Sequence, residues 1–269
     1  MKCLPLIFFF SICSLVKGQQ IDSIIKTSFV SKIELDADQF IGVDEFDNIY
    51  YIKENTFYKK SDKEKTSYTN TQFGTITAVD IKNPFKIVLF YGDFNTVILL
   101  DNNLNELSNK IDFNEVLFSK NIALVSGSSD NNLWIFSSDD NKLYRYDYNR
   151  NRIVSSSAPV NFRESDFIPN RMVASYKTCW LIHENVALEY DAYSNFKKRI
   201  VLNEFQLFNW FYDSYYWVKD GELFKSNLIE GVFKITFNNS ITIESFYVLN
   251  NEIYIFDDEK KVVYKTAKI

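Results

Sequence analysis

The architecture is decided by residues 131–149, which read Asn-Asn-Leu-Trp-Ile-Phe-Ser-Ser-Asp-Asp-Asn-Lys-Leu-Tyr-Arg-Tyr-Asp-Tyr-Asn. Two short runs of aromatic and aliphatic residues flank a turn formed by Ser138, Asp139, Asp140 and Asn141. Aromatic and β-branched side chains suit a pleated sheet, whereas Ser, Asp and Asn stabilise tight turns through side-chain hydrogen bonds. The stretch therefore predicts a β-hairpin.

Strands like the first run of this hairpin recur along the chain, and helical periodicity is weak almost everywhere. The recurring strands are Asn48–Ile52, Lys86–Phe90, Leu133–Phe136, Cys179–Ile182, Tyr215–Val218 and Glu252–Phe256. Their spacing of about 40 residues is typical of propeller blades with four strands each. The sequence therefore predicts an all-β fold, a six-bladed β-propeller with four-stranded antiparallel blades.

The last repeat lacks a fourth strand, because the sequence ends after the third. Before the first repeat, however, Phe29–Leu35 forms an alternating strand that belongs to no blade. A strand from the N-terminal side would complete the last blade and leave no exposed sheet edge at the seam. We therefore expect residues 19–269 to form one closed propeller domain.

One repeat reads Asp44-Glu45-Phe46-Asp47-Asn48-Ile49-Tyr50, and residues 131–134 and 250–254 echo it. With these units the chain resembles the NHL-like and related six-bladed β-propellers, in which Asp-x-x-Asn-Ile-Tyr units recur. It also resembles small exported propellers of Gram-negative bacteria. The resemblance implies a propeller fold, but propellers serve as enzymes, receptors and scaffolds, so the fold alone does not identify the function.

Residues 1–18 have the pattern of an export signal: Lys2, an apolar core from Leu4 to Val16, and the small residue Gly18 before Gln19. The apolar run is shorter than the roughly 20 residues of a membrane-spanning helix, so we expect a cleaved signal rather than a retained anchor. No later segment is apolar enough to span a bilayer. The predicted location is outside the cytoplasm, in the periplasm or the extracellular space.

The chain has 30 basic and 35 acidic residues, for a net charge of −5. Loss of residues 1–18 would remove Lys2 and Lys17 and no acid, which makes the remaining chain more negative still. An acidic protein without a basic cluster is a poor nucleic-acid binder, because phosphate neutralisation supplies most of that affinity. We expect a protein partner instead, either basic or located at the cell envelope.

The chain offers little catalytic chemistry. Its single histidine, His183, adjoins Glu184 at a predicted turn, and Cys179 is the only cysteine after the signal. No nucleophile-elbow, zinc-protease or phosphate-loop motif occurs. A surface position suits His183, and a core position suits Cys179. The sequence predicts no enzyme activity, no cofactor and no metal.

Acidic residues recur in the turn after the second strand of each repeat. Those proposed as a binding rim are Glu54, Asp93, Asp139, Asp140, Glu184, Asp220, Asp257 and Asp258. Equivalent turns of a closed ring share one face, so the acids would form an acidic rim. Such a rim could attract a basic partner, or hold calcium as in lactonase-type propeller hydrolases. Turn chemistry alone also favours Asp at these places.

The segment from Phe205 to Trp217 is densely aromatic, and Trp210, Tyr212 and Trp217 are its candidate contact residues. Successive strand residues point to opposite faces, so these rings cannot all share one surface. Burial between neighbouring blades is one explanation, and an exposed patch that binds a peptide, sugar or protein is the other.

These features favour an exported, non-enzymatic propeller that acts as a protein–protein interaction scaffold. Two alternatives stay open at the level of sequence. One is an accessory subunit of an outer-membrane secretion or assembly machine of the type IX kind. The other is a calcium-dependent propeller hydrolase or lyase.

Overall fold

The computed structural model describes residue 21 and residues 23–117, 120–201, 205–227 and 231–269. The predicted signal, residues 1–18, lies outside these ranges. Most of the regular structure in them is β-strand, as predicted. None of the described helices has the length and apolar composition that a membrane crossing requires.

The described strands form six sheets, which are the blades of a propeller. Two strands precede the first blade: β1 (Ser23–Thr27) and β2 (Phe29–Glu34). The first three blades contain β3 (Gln39–Val43), β4 (Ile49–Lys53), β5 (Thr56–Lys60) and β6 (Lys65–Tyr68); β7 (Ala78–Asp80), β8 (Ile87–Tyr91), β9 (Thr96–Leu100) and β10 (Ile111–Asp112); and β11 (Ile122–Gly127), β12 (Asn132–Ser137), β13 (Lys142–Asp147) and β14 (Arg152–Ser156).

Blades 4 to 6 follow the same plan, with consecutive strands paired antiparallel. They contain β15 (Arg171–Ala174), β16 (Cys179–His183), β17 (Val186–Tyr190) and β18 (Phe196–Val201); β19 (Leu207–Phe211), β20 (Ser214–Lys219), β21 (Glu222–Asn227) and β22 (Gly231–Phe237); and β23 (Ser245–Leu249), β24 (Glu252–Asp257) and β25 (Val262–Thr266). A short helix α1 (Phe113–Val116) and two 3-10 turns, Gly92–Phe94 and Val160–Phe162, lie between strands.

The core consists of six hydrophobic clusters, one at each junction between neighbouring blades. Strand β8 shows why the central positions of the second strands are apolar. Ile87, Leu89 and Tyr91 pack toward blade 1, whereas Val88 and Phe90 pack toward blade 3. Because side chains alternate between faces and both faces are covered, every position of the strand is buried.

The ring closes as the sequence predicts. Strand β2 pairs antiparallel with β25 and supplies the fourth strand of blade 6. Strand β1, which was not predicted, pairs parallel with β22 and adds a fifth strand to blade 5. Residues 23–34 therefore run along the outer edges of both blades at the seam.

The residues of the repeat unit at Asp44 form a hydrogen-bonded turn. The carboxylate of Asp44 accepts from the backbone N–H groups of Phe46 and Asn48, from the Asn48 amide, and from the Tyr50 hydroxyl at 2.8 Å. Asp101 with Asn105 and Asp191 with Asn195 repeat the same four-residue spacing in outer turns. A buried Asp thus organises a turn whose donors would otherwise lack partners.

Candidate functional site

The turns between the second and third strands of the blades lie on one face, which we call the second-turn face. Two asparagines show how each turn contacts the connection to the next blade. Asn55 donates to the Gly74 carbonyl and accepts from the Ile76 N–H, both at 2.9 Å. Asn95 makes the equivalent bonds to Lys120 and Ile122 in the next blade.

Both asparagines have left-handed backbone conformations, with φ of 57° and 53°. Asn tolerates this region better than most residues, and its amide can donate and accept at the same time. The second turns of blades 1 and 2 are thereby fixed against the following blade. Glu54 and Asp93, which lie within two residues of these asparagines, are therefore held by hydrogen-bonded turns rather than by loose loops.

Five of the eight acidic rim candidates are exposed on this face, and each belongs to a different blade. They are Glu54, Asp93, Asp139, Glu184 and Asp220. The Asp139 carboxylate also accepts from the Asn121 N–H at 2.6 Å, so it helps to hold its own connection. None of the five forms an ion pair with a described lysine or arginine. The ring geometry therefore places on one face one acid from each of blades 1 to 5 that has no described lysine or arginine partner.

The other three rim candidates are paired with lysines. Asp140 contacts Lys120 and the Tyr144 hydroxyl, and Asp258 contacts Lys261 at 2.6 Å. Burial tends to raise the pKa of Asp140, but Lys120 and Tyr144 outweigh it, so the pKa is lowered. These carboxylates add less to the field of the face than their number suggests, because each has a nearby cation.

Asp257 is not part of the exposed acidic rim that the sequence predicted. Its side chain has 0 % exposure and its carboxylate accepts from the Lys260 ammonium at 2.7 Å. Desolvation tends to raise the pKa of Asp257, and the hydrogen bonds and charge of Lys260 bring it below its usual value. Strand β24 extends to Asp257, which places the residue inside the sheet edge. Asp257 cannot contact a partner directly.

The predicted aromatic set is divided by the structure. Trp217 is 2 % exposed and stacks on Phe224 at 5.4 Å in the junction of blades 4 and 5. Trp210 is half-buried against the same cluster. Tyr212 alone is presented to solvent, at 73 % exposure, in the turn between β19 and β20. Burial thus accounts for Trp217, and Tyr212 lies on the face opposite the acidic turns.

That opposite face, formed by the turns between first and second strands, is the first-turn face. Phe46 and Phe85, in adjacent blades, are 58 % and 57 % exposed and meet edge to face at 6.1 Å. This pair was not among the residues predicted from the sequence, although a Phe inside a polar turn can be recognised there. The Tyr176 hydroxyl of blade 4 donates to the Lys82 carbonyl of blade 2, at 3.2 Å. This bond links two blades that are not neighbours in the ring.

Two clefts open on the second-turn face. A cleft of about 310 Å³ lies at the junction of blades 2 and 3 and is lined by Asn95, Asn114, Lys120, Asn121 and Asp139. A larger one of about 580 Å³ lies at the junction of blades 4 and 5, lined by Asn170, Arg171, Glu184, Asn185, Phe205 and Gln206. The rim candidates Asp139 and Glu184 therefore each border a polar cleft that also contains a cation. Arg171 was not predicted from the sequence, because a single arginine at the start of a strand belongs to no recognisable pattern.

The reactive residue types are placed as follows. His183 ends β16, half-buried, with its ring edge to face with Phe167 at 5.8 Å. Cys179 is buried in the junction of blades 3 and 4, and burial raises the pKa of its thiol. Within the described ranges, no three His, Cys, Asp or Glu side chains are grouped as metal ligands would be.

Neither a scan against protein-family models nor a search of curated proteins found a match. Solved structures do match. BamB from Moraxella catarrhalis has a TM-score of 0.53 and 11% identity, covering 89% of this chain and 99% of BamB. A catalytically inactive virginiamycin B lyase from Staphylococcus aureus, with quinupristin, has a TM-score of 0.59 and 9% identity, covering 89% and 99%.

The Pan2 WD40 domain of Neurospora crassa has a TM-score of 0.56 and 11% identity, covering 87% of this chain and 76% of that domain. At such identities the likeness concerns the fold. One of these proteins is named as a lyase, and the names of the other two state no enzyme activity. The likeness therefore does not determine whether this chain is an enzyme. By its six sheets and by these likenesses, the chain is a six-bladed β-propeller.

Proposed function

We propose that this chain is an exported, non-enzymatic β-propeller that captures a basic protein partner on its second-turn face. Export is supported by the signal pattern of residues 1–18. The absence of catalytic motifs in the sequence supports a binding role. The partner is a protein at the cell envelope or outside the cell.

The observation that carries the proposal is the ring of exposed acids from five consecutive blades: Glu54, Asp93, Asp139, Glu184 and Asp220. The second turns of the six blades contain many acids, and the only bases among the residues of these turns are Lys260 and Lys261, both in blade 6. Like charges fixed around a rigid ring produce a field that accelerates encounter with an opposite charge. Screening acts over about 8 Å at physiological ionic strength, so salt should weaken the effect.

The test compares two variants with the same change in net charge. The first carries Glu54→Gln, Asp93→Asn, Glu184→Gln and Asp220→Asn on the second-turn face. The matched control carries Glu45→Gln, Asp62→Asn, Glu64→Gln and Asp213→Asn, whose acids are exposed in turns of the other face. Partners are captured by cross-linking in envelope and culture-medium fractions, identified, and then measured for association rate at low and high salt.

We expect the first variant to associate roughly tenfold more slowly at low salt, with a flatter salt dependence, because steering changes association rates by ten- to a thousandfold. The control should associate like the wild type. Equal slowing of both variants would mean that only net charge matters, which would refute the second-turn face as the contact surface. Turnover of lactone or ester substrates that requires calcium would refute the non-enzymatic assignment.

A further inference from the structure

The cleft at the junction of blades 4 and 5 has two walls built from different elements. Asn170 and Arg171 begin β15, and Glu184 and Asn185 form the second turn of blade 4. Phe205 and Gln206 come from blade 5, immediately before β19. Backbone bonds fix both walls: the Asn170 N–H donates to Ile182, and the Gln206 N–H donates to Val218. The cleft is therefore a preformed feature of the blade junction.

Arg171 is the distinctive residue of this cleft. One guanidinium nitrogen donates to the Gln206 carbonyl at 3.0 Å, and the group lies over the Phe205 ring at 5.3 Å. No described carboxylate forms an ion pair with it, whereas Arg145, Arg150, Arg152 and Arg199 each have one. Arg163, the remaining arginine, is exposed to solvent, but Arg171 is half-buried.

A half-buried cation with no counter-ion among the described residues has lost part of its hydration, and the neutral Gln206 carbonyl and Phe205 ring replace it without supplying an opposite charge. Burial accordingly lowers the pKa of Arg171. Only one N–H donor of the planar guanidinium bonds to a described residue, and the contact with Phe205 restricts the orientation of the group. An incoming carboxylate would find donors already positioned for a charge-assisted, bidentate contact.

The rest of the cleft narrows the class of ligand. The side-chain amides of Asn170, Asn185 and Gln206 make no hydrogen bond to a described residue, and an amide both donates and accepts, as a peptide backbone does. The Glu184 side chain is 79 % exposed at the border of the cleft. Its charge would repel a simple anion, so a ligand with a carboxylate and a neighbouring cation fits best.

We propose that this cleft binds a peptide segment through a carboxylate on Arg171 and a basic side chain on Glu184. The proposal rests on the proposed function, because it identifies a docking point for the basic partner within the second-turn face. The carboxylate comes either from an Asp or Glu side chain or from the C-terminus of the peptide.

The experiment selects binders from a library of random hexapeptides on the immobilised protein. The library is made in two forms, with a free C-terminal carboxylate and with a C-terminal amide, and every peptide is N-acetylated. The wild type should enrich peptides that contain both a carboxylate and a Lys or Arg. Enrichment of acid-containing peptides in the amide library identifies a side chain as the source, and enrichment only in the free-acid library identifies the C-terminus.

Three variants assign the contacts. Arg171→Gln should weaken binding of the selected peptides about 10- to 100-fold, as expected for loss of hydrogen bonds between charged groups. Arg163→Gln is the matched control, since Arg163 also lies over an aromatic ring, Phe196, at 5.0 Å but does not line the cleft. Glu184→Gln should remove the preference for a basic residue and keep the preference for a carboxylate.

Absence of carboxylate enrichment by the wild type would overturn the proposal, as would equal affinities for the wild type and a folded Arg171→Gln. If Arg171→Gln does not fold, Arg171→Lys replaces it, and unchanged affinity there would contradict a bidentate contact. The two proposals fail separately. If the four-acid variant captures its partner more slowly but the wild type selects no carboxylate-containing peptides, the acidic face remains supported and the cleft proposal fails. If the wild type selects such peptides but the four-acid variant captures its partner at the wild-type rate, the cleft proposal remains and the acidic face fails as the steering surface.

Discussion

The ring of Phe29 stacks on the ring of Phe237, with centroids 5.2 Å apart and planes 14° from parallel. Phe29 begins the strand that completes blade 6, whereas Phe237 ends a strand of blade 5. Phe29 also lies 4.8 Å from Tyr264 of blade 6. One side chain of the closing segment therefore touches both blades at the seam, so closure involves side-chain packing as well as strand pairing.

Replacement of Phe29 by Ala should lower the free energy of unfolding by about 2–3 kcal/mol, somewhat less than for a fully buried Phe, because Phe29 is half-buried. Urea titration followed by fluorescence measures the change. Val30→Ala is the control, because Val30 is in the same strand and is 58% exposed. Equal effects of the two substitutions would mean that Phe29 does not join the blades.

Two truncations separate the roles of the N-terminal strands. Removal of residues up to 28 deletes β1, which only extends an outer edge, and should lower the melting temperature slightly. Removal up to residue 36 also deletes β2, leaves the edge of β25 unpaired, and should cause a cooperative loss of stability or aggregation. Thermal melts with light scattering distinguish the two. If the longer truncation melted like the chain from residue 19, ring closure by β2 would contribute nothing.

Asp80 should make stability depend on pH. Burial tends to raise the pKa of its carboxyl, but the charge of Lys82 and hydrogen bonds from Lys82 and Ser126 outweigh it, so the pKa is lowered. A carboxylate with a lowered folded-state pKa stabilises the fold above its unfolded value of about 3.9, and this stability is lost as the pH falls further.

Asp80→Asn should therefore be less stable at pH 7 and lose less stability than the wild type below pH about 4. Asp62→Asn, in an exposed turn, serves as the control. Urea unfolding between pH 2.5 and 7 measures the difference. Parallel pH profiles for Asp80→Asn and the wild type would contradict the assignment.

Cys179 should not react with a thiol reagent in the folded chain from residue 19. Its side chain is fully enclosed, and burial raises the pKa of the thiol, so little reactive thiolate forms. Labelling should begin only as urea unfolds the protein. A Cys added at the exposed Ser138 position is the control and should react at once. Rapid labelling of Cys179 in buffer would show that the junction of blades 3 and 4 opens readily.

The fold could be predicted from sequence because a single pattern repeats. The central positions of each second strand are apolar, and this follows from packing on both sides, as in β8. Strand β1 could not be predicted this way, since Ser23–Thr27 is not part of the repeat and pairs parallel with an outer edge. An extra edge strand depends on where the chain enters the ring, which no local pattern encodes.

The candidate site was predictable in outline and not in detail. Turn position alone placed Asp220 and Asp257 on the same face, yet Asp220 is exposed and Asp257 is enclosed beside Lys260. The difference in exposure between the two residues depends on how far strand β24 continues and on the ion pair of Asp257 with Lys260, three residues along the chain. Arg171 has no ion-pair partner among the described residues, and this likewise depends on which carboxylates the fold leaves distant, which the sequence does not show.

The seam also sets the order in which the molecule can be completed. Strand β2 precedes strands β3 to β24 in the sequence and its partner β25 follows them, so β2 is synthesised well before β25. Loop closure over nearly the whole chain must precede this pairing, and such long-range contacts make folding slow. Until it forms, the outer edge of blade 6 stays unpaired and open to association with other chains. The feature that completes the ring is therefore also the step at which a growing chain is most exposed to aggregation.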